Sequence, residues 1–230
     1  MTSNIKIISI DGNIGSGKTT LMHNLREKYA DNYKIVFLKE PVDEWEKIVD
    51  KDGVTMLQKF YSNQEKYSFS FQMMAYISRL KILRDAVKRI QEQGILKAII
   101  FTERSLYTDK YIFAKMLFDQ GKIEDVCYSI YRNWFDEFAK DYPISGSVYV
   151  NTDPSICYER IHKRERQGEE VIPLSYLVDC HNYHTEFIEK EMGCVDNIYS
   201  IQLDGNNDIY DNPTILEDWL NKIDVMTCKI

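Results

Sequence analysis

The sequence has few cysteines, and none of them forms a recognisable pair. They are odd in number, scattered and without CxxC spacing, and they are Cys127, Cys157, Cys180, Cys194 and Cys228. This pattern argues against a disulfide framework and offers no zinc site. We therefore expect buried, reduced thiols and a reducing compartment.

Long apolar runs and an excess of basic charge are also missing. No apolar stretch approaches membrane-spanning length, and the first residues lack the order of a signal peptide. Lys and Arg number 29 against 36 Asp and Glu, a net charge of −7, which argues against general binding to nucleic acid or membranes. Without repeats or linkers, the 230 residues predict a single cytoplasmic domain spanning 1–230.

A phosphate-binding motif stands near the start. Residues 5–10 are apolar and β-branched, which predicts a buried strand, and residues 21–29 predict a helix. Between them the spacing is G-x-x-x-x-G-K-T, in which backbone N–H groups surround phosphate oxygens, the lysine contacts the β- and γ-phosphates and the threonine ligates Mg²⁺. The alternative is an incidental glycine-rich turn. The candidate ATP-binding residues are Gly12, Asn13, Ile14, Gly15, Ser16, Gly17, Lys18, Thr19 and Thr20.

Short apolar segments alternate with helical patterns along the rest of the chain. Further strands are predicted at residues 34–38, 97–102, 147–150 and 199–203, and helices at residues 42–59 (interrupted by Gly53), 65–93, from 106, 123–140, from 154, from 173 and from 213. This alternation predicts an α/β fold of the P-loop NTPase type. We expect three layers, with a five-stranded parallel sheet, helices on both faces and an arginine-rich lid.

Ligands bind beyond the carboxyl ends of such strands, and two charged groups follow strands there. Glu40 ends the second strand and precedes Pro41, so its carboxylate could act as a general base. Glu103 and Arg104 follow the third strand, where they could serve Mg²⁺ and a phosphoryl or acceptor oxygen. The alternatives are a surface glutamate at a strand end and a helix-capping ion pair.

Two further groups of polar residues lie on predicted helices. Arg160, Lys163, Arg164 and Arg166 form a basic cluster that suits the charge of a transferring phosphoryl group, or else a solvated face neutralised by nearby glutamates. On the long helix Gln72, Tyr76 and Arg79 form a polar line, either a base-reading pocket wall or an exposed flank.

Together these motifs resemble the deoxynucleoside kinase family, which includes deoxycytidine and deoxyguanosine kinases. The matching stretches occur in family order over nearly the whole chain, and they are residues 11–19, 40–42 with Trp45, 67–72, 103–109, 111–114, 160–166 and 172–174. The resemblance implies phosphoryl transfer from ATP, with Mg²⁺, to a deoxynucleoside. It also implies a homodimer, for which the long helix and its neighbour offer an apolar face.

The resemblance also implies a role for each matching residue. Glu40 would be the general base beside Arg104, Thr19 and Glu103 would serve Mg²⁺, and Lys18, Arg160, Arg164 and Arg166 would contact the phosphates. Asp208 would lie near the donor base. The substrate residues would include Trp45, Tyr61, Gln72, Tyr76, Phe113 and Glu169, where Glu170 could take the place of Glu169.

An Arg–Asp pair bears on the base. Arg79 and Asp109 occupy positions where the deoxycytidine and deoxyguanosine enzymes carry such a pair, while thymidine-preferring members carry apolar residues. We therefore expect deoxycytidine or a purine deoxynucleoside to be preferred over thymidine. Two rival functions remain: a thymidylate-type monophosphate kinase and a non-catalytic nucleotide-binding module.

Overall fold

Short β-branched and apolar segments form the central sheet. The structure is a computed structural model that describes residues 4–164, 169, 171–192 and 198–230. All strand pairs are parallel, in the order β2-β3-β1-β4-β5. The strands are β1 (Asn4–Gly12), β2 (Ile35–Leu38), β3 (Lys97–Glu103), β4 (Gly146–Asn151) and β5 (Tyr199–Asp204). The predicted five-stranded parallel sheet is confirmed.

The strands are connected mainly by helical segments. The α-helices are α1 (Lys18–Lys28), α2 (Val42–Trp45), α3 (Met56–Ser62), α4 (Gln64–Glu92), α5 (Leu106–Thr108), α6 (Lys115–Asp119), α7 (Asp125–Phe138), α8 (Pro154–Arg164), α9 (Leu174–Glu186) and α10 (Pro213–Lys229). Two π-helical segments (Asp109–Ala114 and Phe187–Met192) and one 3₁₀ turn (Ala139–Asp141) complete the described elements.

The two faces of the sheet bury separate apolar clusters. Successive side chains of a strand point to opposite faces, so Ile7 lies in one cluster and Ile8 in the other. Leu21 of α1 and Trp219 of α10 cover the Ile8 face, while residues of α4, α7 and α9 cover the other. Each fully buried side chain of the size of Leu21 contributes roughly 1.5–3 kcal/mol. The predicted three-layer arrangement follows from this alternation.

The long helix α4 begins and ends at local signals that the sequence contains. The side chain of Asn63 accepts a hydrogen bond from the backbone N–H of Lys66 at 3.1 Å, which caps the first turn. Gly94 follows the last turn with a φ of 69°, a left-handed conformation that glycine adopts without strain. The helix therefore runs within one residue of the predicted limits, 65–93.

The interruption expected at Gly53 within the helical pattern of residues 42–59 is confirmed, but the break is too wide for one kinked helix. The chain instead forms α2 and α3, joined by a turn in which Val49 pairs with Thr55 in an antiparallel bridge. Gly53 lies in this turn with a φ of 80°. Thr55 then starts α3 through a capping box with Gln58, and this local signal outweighs helix continuation.

The helix expected from residue 106 is not a regular α-helix. After the single turn of α5, residues Asp109–Ala114 adopt a π-helical conformation before α6 begins. Such bulges are rare and often lie at functional sites. Here the bulge contains Asp109 and Phe113, both of which line the cavity described below.

The four cysteines that the structure describes are all unpaired. Cys157 and Cys180 are buried as expected, but Cys127 is half-buried and Cys228 is exposed on α10. Cys194 lies outside the described residues. Among the described helices, none combines the length and the apolar character needed to cross a membrane.

Candidate active site

A cavity of about 520 Å³ opens at the carboxyl ends of the strands. It gathers residues from the end of β3 and from the segments that follow β1 and β2, together with side chains of α4 and α8. This is the edge at which ligands of parallel α/β sheets bind. Most of the residues singled out in the sequence line it, although they come from segments far apart in the chain.

The phosphate loop, residues 12–19, joins β1 to α1. Gly15 has a φ of 79°, and a Cβ there would lie 2.6 Å from the backbone oxygen of Cys157 on α8. Gly17 precedes α1 with a φ of 100°. Both positions therefore favour glycine, because a side chain would strain the left-handed backbone at either one and would also clash at Gly15. The loop can turn its N–H groups inward at the positive end of α1.

Lys18 extends back over this loop. Its Nζ donates a hydrogen bond to the backbone oxygen of Asn13 at 2.6 Å, and the side chain is buried. Burial and then the neighbouring Arg104 lower the pKa of Lys18 to about 7. An approaching triphosphate would supply negative charge and favour the protonated amine. Lys18 is therefore placed to respond to phosphate binding.

Gly12 and Asn13 shape the loop from behind and are not among the described residues that line the cavity. The side-chain nitrogen of Asn13 donates to the backbone oxygen of Leu177 at 2.8 Å, which ties the loop to α9. The Gly12 oxygen accepts from Arg104 at 2.8 Å. The loop residues that do line the cavity are Ile14, Gly15, Ser16, Gly17, Lys18, Thr19 and Thr20.

Thr19 and Glu103 meet at the base of the cavity. The Thr19 hydroxyl donates to Glu103 Oε1 at 2.6 Å. Among the described residues no group of three His, Cys, Asp or Glu side chains could hold a metal alone. One hydroxyl and one carboxylate suit Mg²⁺, which keeps several waters and usually takes its other ligands from substrate phosphates.

An acid–base cluster, formed by Glu40, Arg79, Arg104 and Asp109, lines the same cavity as the phosphate loop. Glu40 Oε1 lies 3.0 Å from Arg79 and 3.3 Å from Arg104. Arg79 also contacts Asp109 Oδ2 through Nε at 2.9 Å. The two carboxylates therefore share one guanidinium.

Arg104 holds an unusual backbone conformation. Its φ of 61° is left-handed. This conformation costs free energy for an arginine, so it persists only where surrounding contacts enforce it. The Arg104 N–H donates to the oxygen of Ile10 at 3.0 Å, and its own oxygen accepts from the Thr102 hydroxyl at 2.9 Å. Its guanidinium lies 4.7 Å from the centre of the Phe113 ring. These contacts aim Arg104 into the cavity beside Glu40.

The pKa values of Glu40 and Asp109 depend on burial and on the neighbouring cationic side chains. Burial would raise the pKa of Glu40, but Arg104, Arg79 and Lys18 overcome it and lower the value to about 2. Burial raises the pKa of Asp109, and Arg79 offsets only part of that effect. Glu40 is therefore ionised at neutral pH.

The lid arginines reach the cavity from α8. Arg160 donates to the backbone oxygens of Gly205 at 2.9 Å and Asn207 at 3.4 Å. Arg164 forms an ion pair with Glu169. Both arginines and Glu169 line the cavity. Arg166 and Glu170, which the sequence also singled out, lie outside the described residues.

The remaining predicted substrate residues divide into lining and non-lining ones. Trp45, Tyr61, Gln72 and Phe113 line the cavity. Tyr76 is not among the described lining residues, because α4 turns it towards α7, where its hydroxyl donates to the Trp134 oxygen at 3.1 Å. The expected role of Tyr76 in the pocket wall therefore has no support in the geometry.

Gln72 and Tyr61 provide polar groups within an otherwise apolar wall. Gln72 is 2% exposed, and its Oε1 has no hydrogen-bond partner among the described residues. Burial, and then the charge of Glu169, raise the pKa of Tyr61, which keeps its hydroxyl protonated. Buried polar atoms of this kind are usually paired, so a ligand that satisfies Gln72 would be favoured.

Several aromatic residues that line the cavity were not singled out in the sequence. Phe60 and Phe71 stack at 4.4 Å between ring centroids, and Tyr176 and Trp219 also face the cavity. Such residues match ordinary core positions in a sequence, so only the position of Phe71 next to Gln72 offered a signal. On the donor side Asp208 lies among the lining residues together with Asn207, Ile209 and Tyr210.

The family model for "Deoxynucleoside kinase" matches residues 8–228. The chain belongs to the deoxynucleoside kinase family. It is 32% identical to deoxycytidine kinase 2 of Gallus gallus, with 94% of this chain and 88% of that protein covered. This deoxynucleoside kinase is also 33% identical to a probable deoxycytidine kinase of Fowlpox virus, over 90% of this chain and 82% of the relative.

The human relative covers less of either chain. This deoxynucleoside kinase is 33% identical to the deoxycytidine kinase of Homo sapiens, over 80% of this chain and 75% of that protein. The family and the cavity agree on a kinase that takes a nucleoside and a nucleoside triphosphate. The resemblance read from the motifs is thereby confirmed.

Proposed function

We propose that this deoxynucleoside kinase transfers the γ-phosphoryl group of ATP to the 5′-hydroxyl of its substrate, with Glu40 as the general base. The observation that carries the proposal is the position of an ionised Glu40 beside Arg104, in the same cavity that the phosphate loop lines. In a loose transition state the hydroxyl proton becomes acidic late, so catalysis depends mostly on positioning and charge. Glu40 would orient the hydroxyl and then take its proton.

The donor phosphates would lie on the phosphate loop. Lys18 and the loop N–H groups would contact the β- and γ-phosphates, and Arg160, Arg164 and Arg166 would stabilise the charge of the transferring group. Thr19 and Glu103 would serve Mg²⁺, which when bound neutralises phosphate charge. Asp208 would lie near the donor base. Arg164 and Glu169 contact each other in the cavity wall, which supports a lid that also reaches the acceptor.

The base of the acceptor would lie between Phe113 and the polar end of Gln72. Tyr61 and Glu169 would hold the 3′-hydroxyl, and Trp45 would close the apolar side. Asp109 accepts hydrogen bonds, and Gln72 both accepts and donates them. Exocyclic amino groups and ring nitrogens match these atoms, which supports a preference for deoxycytidine or purine deoxynucleosides over thymidine. The three relatives, two deoxycytidine kinases and one probable deoxycytidine kinase, support the same preference.

A homodimer is supported by an apolar stripe on α7. Four exposed apolar side chains recur at intervals of four residues, with Ile77 of α4 also exposed, and they are Val126, Ile130, Trp134 and Phe138. A two-fold axis would let this stripe contact its own copy. Trp134→Glu should therefore give a monomer in light scattering. Tyr33→Glu, at a site 72% exposed in the native chain, serves as the control and should leave the mass unchanged.

Two rival functions are tested by the same assay. A monophosphate kinase needs cations for its phosphate acceptor, yet a carboxylate, Glu40, lies at the centre of the acid–base cluster. A non-catalytic module would not need that cluster at all. The decisive experiment measures phosphate transfer from ATP to the four deoxynucleosides and to their monophosphates. Transfer to monophosphates alone, or ATP binding without transfer, would refute the proposal.

A further inference from the structure

Arg79 connects two parts of the acceptor site that have different tasks. We propose that Arg79 is a positioning residue that holds Glu40 in place while it holds Asp109, so that recognition of the base acts on kcat as well as on KM. The proposal rests on the proposed function, because it takes Glu40 as the general base and Asp109 as a base-reading group.

All three nitrogens of the Arg79 guanidinium are engaged. Nε donates to Asp109 Oδ2 at 2.9 Å, Nη1 to the backbone oxygen of Glu103 at 2.7 Å, and Nη2 to Glu40 Oε1 at 3.0 Å. The side chain is only 2% exposed. A guanidinium has five N–H donors in one rigid plane. Three are committed within the protein, so Arg79 acts mainly as a connection between elements.

The three acceptors lie on different segments. Glu40 follows β2, Glu103 ends β3, and Asp109 begins the π-helical segment, while Arg79 itself lies in the middle of α4. Because the guanidinium is planar, a shift of Asp109 towards a bound base must rotate or displace the nitrogen that contacts Glu40. A displacement of about 1 Å at a catalytic group can change a rate by about 100-fold. The identity of the base can therefore alter the position of the general base.

Glu40 is surrounded by charges of both signs. Arg79 approaches it from α4, Arg104 from the end of β3 and Lys18 from the phosphate loop, whereas Asp109 and the Tyr61 hydroxyl face it from the other side. Loss of Arg79 removes a cation from this set and makes the ionised carboxylate less favourable. Loss of the negative charge of Asp109 makes the ionised carboxylate of Glu40 more favourable. The two residues can therefore be distinguished by the pH profile.

The test compares four variants with the unmodified enzyme. Arg79→Met removes the connection. Arg79→Lys keeps a buried cation but offers a single nitrogen, which cannot span both carboxylates. Asp109→Asn removes the base-side charge only. Arg84→Met removes an exposed arginine from the same helix and is the matched control.

For each protein, kcat and KM are measured with all four deoxynucleosides between pH 4 and pH 9. We expect both Arg79 variants to lower kcat roughly 10–100-fold for every deoxynucleoside. The unmodified enzyme should show no acid limb in this range, because the pKa of its Glu40 is about 2, whereas the kcat of Arg79→Met should fall towards pH 4. Asp109→Asn should change the ratios of kcat among the deoxynucleosides and, like the unmodified enzyme, show no acid limb. Arg84→Met should match the unmodified enzyme.

Arg79→Lys retains the buried positive charge, so it is expected to fold even if Arg79→Met does not. It therefore separates an effect on catalysis from an effect on folding. Thermal unfolding and binding of a fluorescent ATP analogue report whether each variant is folded. An unchanged kcat in Arg79→Lys, with effects on KM alone, would overturn the proposal. So would a folded Arg79→Met whose kcat stays level down to pH 4, as that of the unmodified enzyme does. If the unmodified enzyme transfers no phosphate to any deoxynucleoside, the proposed function fails instead, and the two failures are distinct.

Discussion

The two walls of the cavity are built in different ways. The acceptor wall consists of buried side chains in mutual ion pairs, such as Arg79 and Asp109, which are 2% and 3% exposed. The donor wall relies on backbone groups of the phosphate loop and on more accessible side chains. Arg164, for example, is 36% exposed, and Asp208 is exposed as well.

This difference has a physical consequence for selectivity. A site whose buried polar groups hydrogen-bond the substrate can reject an analogue that leaves them unpaired by up to about 10⁴–10⁵-fold. A substrate that fails to satisfy the acceptor wall is therefore rejected strongly. Backbone N–H groups contact phosphates that all nucleoside triphosphates share. The acceptor wall therefore discriminates among nucleosides, whereas the donor wall binds the triphosphate and stabilises the charge of the transferring phosphoryl group.

The largest effect should come from the carboxylate at the centre of the acceptor wall. Glu40→Gln keeps the shape of the side chain but removes its basicity, so kcat should fall by roughly 10²–10⁴ while ATP still binds. Steady-state kinetics and nucleotide titration measure the two quantities. Glu46→Gln, an exposed position in the same segment, is the control. An unchanged kcat in Glu40→Gln would remove this residue from the mechanism.

On the donor wall the lid should act mainly on the rate. Arg164→Ala should lower kcat by roughly 10–10³-fold with a smaller change in the KM of the nucleoside, because phosphoryl charge develops only in the transition state. The exposed neighbour Lys163→Ala should have little effect. A rise confined to the KM of the nucleoside would instead show that Arg164 binds the acceptor. That result would contradict its assignment to the donor wall.

The selectivity of the acceptor wall can be inverted by removing its charged pair. Arg79→Met with Asp109→Ala removes both charges together, so neither is left buried alone, and space is released for the thymine methyl group. The ratio of kcat/KM for thymidine to that for deoxycytidine should rise, by at most about 10⁴-fold. The ratio is the measured quantity because overall activity falls as well. A native preference for thymidine would contradict our interpretation of the pair.

The smallest expected effect concerns His184, which packs edge-on against Phe113 and stacks on Tyr149. Burial, and then Arg104, hold the pKa of His184 well below its usual value. Its unfolded form takes up a proton near pH 6.5, so the stabilising contribution is present above that pH and is lost as the pH falls. The free energy of unfolding should therefore decrease between pH 7 and pH 5.

Urea unfolding at several pH values measures this loss. His184→Phe keeps both ring contacts and removes the titrating group, so its free energy of unfolding should decrease less between pH 7 and pH 5. His23→Phe, which replaces an exposed histidine, should retain the native dependence. Equal slopes for His184→Phe and the native protein would show that His184 is protonated in the folded state.

Local sequence signals were sufficient where the structure depends on short-range order. The loop motif and the strand runs each act within a few residues, and the structure has them where the sequence indicated. Gly53 likewise interrupts the helical pattern over residues 42–59, as its sequence position indicated. The bridge between Val49 and Thr55 makes that interruption wider than the pattern alone showed.

Other features depend on segments that are distant in the chain. Nothing in the spacing of Glu40 and Arg79 shows that β2 and α4 bring them to 3.0 Å, or that one guanidinium serves two carboxylates. The sequence placed Tyr76 with Gln72 and Arg79 on one helix face, yet packing against α7 turns it out of the cavity. Sequence by itself determined the chemistry and the order of the elements, because both are encoded locally. Only the tertiary structure decided which charges meet, because contact between them is set by the packing of the helices on the sheet.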